Sequence, residues 1–162
     1  MKLTFTVYGK QIPQGSKRTV PIYRAGKPVM KGNRTLTRVA DDNPGLPAWR
    51  QEIAHAARYA YDGEPMPGPF ALTVQIVRPR PRGHFGTGRN ADRLKPSAPA
   101  FPTSAPDTLK LARAVEDALE NVLWLNDAQI VRHILSKNWG KEYAIHVTVE
   151  SIDGAANAAG GE

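Results

Sequence analysis

The stretch APDTLKLARAVEDALENVLWLNDAQIV, residues 105–131, contains an amphipathic helix pattern and most of the acidic residues that bear on function. Asp107 is placed to cap a helix that runs to about Asn121. Apolar positions recur every three or four residues, so this helix has one face for the core and one face that is free. The buried face is predicted to consist of Leu111, Val115, Ala118, Leu119 and Val122.

Outside this helix, the hydrophobic pattern predicts four strands and one more helix. Before it lie a strand through Leu3, Phe5 and Val7, a helix from Pro47 to about Tyr61, and a strand from Phe70 to Val77. After it lie strands near Ile130 to Lys137 and Tyr143 to Glu150, joined by a turn around Asn138 to Gly140. This order predicts an α+β fold in which two main helices pack on a small mixed β-sheet.

The chain of 162 residues is long enough for one domain with its own core and too short for two ordinary ones. We expect a single domain over residues 1–153 and a disordered Ala/Gly-rich tail over residues 154–162. The absence of cysteine excludes disulfides, thiolate zinc sites and cysteine nucleophiles. The same lack of cysteine predicts a cytoplasmic protein. No apolar run approaches the roughly 20 residues of a membrane helix, so no membrane partner is expected.

Basic residues outnumber acidic ones, 22 to 15, and the formal net charge is +7. This charge favours a polyanionic partner, and by itself it leaves nucleic acid, acidic lipid and acidic protein open. Two segments carry most of the positive charge. Residues 10–38 contain eight Lys or Arg and no acid, and residues 78–104 contain six with one acid. Both are predicted to be flexible cationic loops, the first ordered by an anionic surface.

Acidic residues gather in or beside the helix that follows Asp107. Opposite its apolar face, helical geometry groups Leu109, Arg113, Glu116 and Glu120, with Asp117 at the margin. Carboxylates suit Mg²⁺, a hard ion that takes oxygen ligands and supports phosphodiester hydrolysis. The same acids are also ordinary as a helix cap, a solvated face and a turn, so both interpretations stay open here. The histidines show no metal-ligand spacing and are interpreted as surface or core residues: His55, His84, His133 and His146.

The same stretch resembles the central signature of the RusA family of Holliday-junction resolvases. Residues 105–119 are similar to its Pro-Asp-x-Asp opening, the basic residue one turn later and the Asp-Ala-Leu helix, and residues 122–131 to its Asp-Asp-x-Gln turn. Residues 9–18 are similar to the family's basic loop, and residues 84–90 to a loop of its phage and actinobacterial members. The resemblance covers most of the chain and leaves residues 20–42 and the tail unaccounted for.

The resemblance implies catalytic roles for particular residues. Asp107 matches the first catalytic aspartate and Asp127 the last, and both are implied ligands of Mg²⁺, for which Mn²⁺ is a possible substitute. Arg113 occupies the place of the catalytic lysine, where a cation stabilises charge developing on the phosphate. Leu109 departs from the pattern because it stands where the family has its second aspartate. Glu116 lies two turns along the same face, and we hypothesise that it supplies the missing ligand.

The implied reaction is hydrolysis of a DNA phosphodiester by metal-activated water, in recombination and repair. The implied partner is branched DNA, above all the four-way junction, and a homodimer supplies the two symmetric cuts. No small-molecule cofactor is expected, and the expected setting is a bacterial host, as for a phage- or prophage-encoded protein. Two alternatives stay open: a junction-binding protein that does not cleave, and a basic RNA-binding protein. The predicted DNA contacts are Lys17, Arg18, Arg80, Arg82, Arg89 and Lys137.

Overall fold

A computed structural model describes residues 1–15, 17–41 and 43–152, without the side chain of residue 41. The predicted tail at residues 154–162 therefore lies outside the described residues. The two helices are α1 (Leu46–Ala60) and α2 (Thr108–Leu119). The strands are β1 (Lys2–Tyr8), β2 (Lys17–Pro21), β3 (Tyr23–Arg24), β4 (Lys27–Pro28), β5 (Met30–Lys31), β6 (Arg34–Thr35), β7 (Thr37–Asp41), β8 (Phe70–Pro79), β9 (Ile130–Gly140) and β10 (Ala144–Ser151).

The main sheet contains four strands in the order β1, β10, β8, β9. The β1–β10 and β10–β8 pairs are antiparallel, whereas β8 and β9 are parallel. A parallel pair needs a long crossover, and residues 80–129 supply it together with α2. The crossover places the amino-terminal half of β9 beside α2 at one side of the sheet.

Both helices pack on the same face of this sheet, and the fold is α+β as predicted. The apolar residues of β8 on that face, Leu72, Val74 and Ile76, are completely buried. The predicted apolar stripe of α2 is also buried, from Leu111 at 2% exposed to Leu119 at 0%. Trp124 fills the end of this core, with its ring centroid 6.0 Å from that of Phe70.

Helix α1 begins where the sequence predicts. Pro47 lies in its first turn, where a missing backbone N–H costs no hydrogen bond. Its buried residues, Leu46, Trp49, Ile53 and Ala57, recur at helical spacing and pack toward β1 and α2. Within the described residues, neither helix has the length and apolar character needed to cross a membrane.

The prediction of a turn around Asn138 to Gly140 is wrong. These residues belong to β9, which continues in parallel register with β8 as far as the pair Pro79 and Gly140. A Cβ at Gly140 would collide with the side chain of Val77, so the close approach of the two strands requires glycine there. The connection to β10 is instead made by residues 141–143.

The prediction of an unstructured loop over residues 10–38 is also wrong for most of its length. Residues 17–41 form an arm of three small antiparallel hairpins, which we call the basic arm. Strands β2 and β7 form its stem, β3 and β4 its first leaf, and β5 and β6 its second leaf. Three backbone hydrogen bonds join the leaves where they meet. The N–H of Ile22 donates to the carbonyl of Leu36 at 2.9 Å, the N–H of Val29 to that of Ile22 at 2.8 Å, and the N–H of Leu36 to that of Val29 at 2.7 Å.

Candidate active site

The free face of α2 lines a cleft of about 960 Å³. Its other walls come from the segment before β2, the turn before β9, and β9 itself. Acidic and basic side chains share this cleft, which is the arrangement that phosphodiester chemistry needs. The lining residues are Gln14, Gly15, Lys17, Leu109, Lys110, Ala112, Arg113, Glu116, Asp117, Asp127, His133 and Leu135.

Three residues of α2 face the cleft together because they recur at one helical face. Leu109, Arg113 and Glu116 are separated by four and three residues, and all three line the cleft. Leu109 is 74% exposed, so this leucine makes no contribution to the core. Glu120, which shares the face in projection, does not line the cleft. The cleft is therefore lined by the first three turns of the helix.

Glu116 is held by a histidine that the sequence interpretation passed over. The Nε2 atom of His133 lies 2.8 Å from Oε1 of Glu116, and the Glu116 side chain is only 18% exposed. His133 pairs with Leu72 in the β8–β9 register, which directs its side chain to the helix side of the sheet. In the sequence, His133 does not have the spacing of a metal ligand. The one available signal was its position two residues before Leu135, which places both side chains on the same side of β9.

Asp127 lies in a tightly fixed turn between α2 and β9. It begins a single 3-10 turn, Asp127–Gln129, and the Asn126 side chain caps that turn by accepting from the N–H of Ala128 at 2.8 Å. The Gln129 side chain accepts from the N–H of Asn126 at 3.0 Å and donates to the carbonyl of Met66 at 3.0 Å. These bonds satisfy the turn locally, so the Asp127 carboxylate is left at the cleft wall.

Asp107 lies at the amino end of α2 and is not among the residues lining the cleft. It occupies the cap position without making a side-chain capping hydrogen bond. Its side chain is 70% exposed, and its carboxylate lies 3.8 Å from the ammonium of Lys110. The structure thus brings Glu116 and Asp127 to one cleft and leaves Asp107 outside its lining, at the amino end of α2.

Two cations from the sheet hold the chain just before Asp107. The Lys137 ammonium donates to the carbonyls of Ser104 and Pro106 at 2.8 and 3.1 Å. Arg78 donates to the carbonyl of Ala105 at 2.9 Å. Lys137, predicted as a DNA contact, therefore binds backbone carbonyls and fixes the amino end of α2.

Asp117 also lines the cleft but is engaged by α1. The guanidinium of Arg50 donates to its carboxylate at 2.5 Å, and both side chains are less than one-third exposed. This pair links the two helices. Because the pair is partly buried, removing either partner would leave a charge without compensation, which identifies Asp117 as a structural carboxylate.

The other predicted DNA contacts divide into two groups. Lys17 lines the cleft, whereas Arg18, the next residue of β2, projects from the opposite face of the stem. Arg80 lies 5.3 Å from the ring centroid of Trp139 and donates to the carbonyl of Pro99 at 3.0 Å, so it orders the loop that follows β8. Arg82 and Arg89 are exposed on that loop.

The carboxylates that line the cleft are the type of ligand that Mg²⁺ takes in proteins. Among the described residues, no three histidines or carboxylates form a group that could hold a metal by themselves. Mg²⁺ does not require such a cage, because it commonly keeps several waters and binds one or two carboxylates together with substrate phosphate. Glu116 and Asp127 line one cleft, and their carboxylates are of the ligand type that such an ion takes.

Comparison with known proteins agrees with this chemistry. Residues 25–150 match the family described as endodeoxyribonuclease RusA. The chain belongs to the RusA endodeoxyribonuclease family. The matched region contains α2, Asp127 and the whole of β9, so the RusA signature and the cleft coincide. A protein of Bacillus subtilis strain 168, named as the uncharacterized protein YqaN, is 25% identical over 150 residues, covering 93% of this chain and 96% of the relative. RusA membership identifies the chain as a DNA nuclease and a Holliday-junction resolvase by family.

Proposed function

We propose that this protein is a structure-selective endonuclease that resolves four-way DNA junctions by Mg²⁺-dependent phosphodiester hydrolysis. One observation carries the proposal: in a chain of the RusA family, Glu116, Asp127 and Arg113 line the same cleft. The proposed setting is recombination and repair in the cytoplasm of a bacterial host, where such junctions arise.

Each residue of the cleft has a proposed task. Glu116 and Asp127 hold the divalent ion, and the family signature adds Asp107, whose exposed side chain must turn toward the cleft to take part. The bound ion supplies Lewis acidity at the phosphate and a more acidic water. Arg113 and Lys17 contact the phosphate and stabilise its negative charge, while His133 keeps the Glu116 carboxylate in one orientation.

The leucine at position 109 favours a second candidate function, which is junction binding without cleavage. Because it replaces the second aspartate of the family signature with an apolar side chain, the chain is also a candidate for a junction-binding protein that does not cut. The two functions differ only in chemistry, since both use the same basic surface. Cleavage must therefore be measured separately from binding.

The first prediction concerns substrate and metal. With Mg²⁺ or Mn²⁺, the protein is expected to cut a synthetic four-way junction at paired sites and to leave a linear duplex of the same sequence intact. Denaturing gels of end-labelled strands, with and without chelator, measure this directly. Tight junction binding without cleavage would support the non-cleaving alternative, and equal binding to an RNA hairpin would favour an RNA-binding function.

The second prediction concerns the homodimer, which we propose because two symmetric cuts require a two-fold arrangement. Strand β9 is the last strand of the sheet, and it exposes Val131 (61%) and Ile134 (53%). An exposed apolar edge strand is a ready surface for pairing with a second copy. Sedimentation analysis should show a dimer that dissociates in Val131→Lys/Ile134→Lys, while Tyr59→Lys on α1, where the side chain is 92% exposed, leaves it intact. A dimer that survives the β9 changes places the interface elsewhere.

A further inference from the structure

The basic arm carries a charge pattern that its fold does not explain. Residues 17–38 contain seven Lys or Arg and no acidic residue. Nothing from residue 17 to residue 39 is buried, and only Val20, Ile22 and Val29 are half-buried. The arm therefore gains little from a hydrophobic core and depends on its own backbone hydrogen bonds.

Each leaf ends in two cations placed directly opposite each other. Arg24 pairs with Lys27 across the first leaf, and Lys31 pairs with Arg34 across the second. The turns between them are tight, with positive φ at Ala25 and Gly26 in one leaf and at Gly32 in the other. Like charges at directly opposed positions of an antiparallel pair destabilise it, so both leaves fold against electrostatic repulsion.

We infer that the two leaf tips are a pair of phosphate-binding forks that grip double-stranded DNA outside the catalytic cleft. Two cations at one tip are suited to bind phosphate oxygens, and the anion relieves the repulsion that destabilises the free leaf. A two-stranded β-ribbon also has the width that the major groove admits. The inference rests on the proposed DNA substrate. In it, the basic arm raises the affinity of the protein for one duplex of the junction.

The placement of the arm supports this partner. Its stem begins at Lys17, which lines the catalytic cleft, whereas no residue of the two leaves lines it. A five-residue stem spans roughly 16 Å, enough to carry the tips several base pairs from the scissile phosphate. Since phosphates recur all along a duplex, the tips need no particular sequence to bind.

The test measures salt-dependent binding in an Asp127→Asn background, so that its result does not depend on cleavage. The test variants are Arg24→Gln/Lys27→Gln, Lys31→Gln/Arg34→Gln and the fourfold combination, measured by anisotropy with a labelled four-way junction. Each pair should lower the slope of log Kd against log salt by about 1.8, and the fourfold variant by about 3.6. At low salt each pair should weaken binding about tenfold or more.

A matched control removes two exposed cations elsewhere. Lys2→Gln/Arg58→Gln makes the same change in net charge on β1 and α1 and should leave the slope unchanged. Amide hydrogen exchange gives a second readout, because the junction should protect the leaf amides in the background protein and fail to do so in the fourfold variant. An unchanged slope in the leaf variants, an equal change in the control, or leaf amides that DNA leaves unprotected would each overturn the inference. Failure to cleave alone would instead overturn the proposed nuclease function.

Discussion

Glu116→Gln is expected to lower single-turnover cleavage of a four-way junction by about 10²- to 10³-fold, with junction affinity nearly unchanged. The substitution keeps the size of the side chain, removes its negative charge and replaces one carboxylate oxygen with an NH₂ group. The Glu116 side chain is only 18% exposed and is paired with His133, while the neighbouring Asp117 is engaged by Arg50. Rates at saturating protein, with binding measured in parallel, separate the two effects.

Glu120→Gln is the matched control for this prediction. Glu120 follows directly after the last residue of α2 and lies outside the cleft, so its substitution should leave the rate within about twofold. Leu109→Asp added to Glu116→Gln should restore part of the lost rate, because it returns an aspartate to the position where the family has one. Full activity in Glu116→Gln alone would remove Glu116 from the metal site.

Asp127→Asn is expected to cause a loss of similar size, again with junction binding retained. The turn around Asp127 is held by the Asn126 cap and the Gln129 side chain, so asparagine should leave its conformation intact. Asp92→Asn, an exposed position on the loop after β8, serves as the control. An active Asp127→Asn enzyme with wild-type metal dependence would contradict the proposed site.

Asp107→Asn, measured beside these variants, decides how many protein ligands the ion has. A loss as large as that of Asp127→Asn would mean that the exposed Asp107 side chain turns into the cleft when DNA and metal bind. A loss of about tenfold or less would leave the ion with two carboxylates, water and phosphate, as the observed cleft favours.

The part of the site that lies on one helix could be predicted from sequence. Periodicity alone separates the buried stripe of α2 from the face that carries Leu109, Arg113 and Glu116, because both depend only on helical geometry. His133 could not be found in this way. Its contact with Glu116 depends on the parallel pairing of β8 with β9, which no local pattern encodes.

The basic arm shows a different limit of sequence interpretation. Its strands are two to five residues long and have no apolar face, so they lack the alternation that marks a strand. The first leaf also turns at Ala25 with φ +49°, a conformation that alanine seldom adopts and that its sequence does not indicate. Lys137 was predicted as a DNA contact, and only the fold shows that it binds the carbonyls of Ser104 and Pro106.

We propose that Glu116 and Asp127 hold one divalent ion in the cleft, and anomalous diffraction from crystals soaked with Mn²⁺ can locate that ion. We predict a single anomalous peak within about 2 Å of an oxygen of each carboxylate, on the side of α2 that carries Arg113. A peak bound by other residues, with Glu116 still paired only to His133, would contradict the proposed metal site.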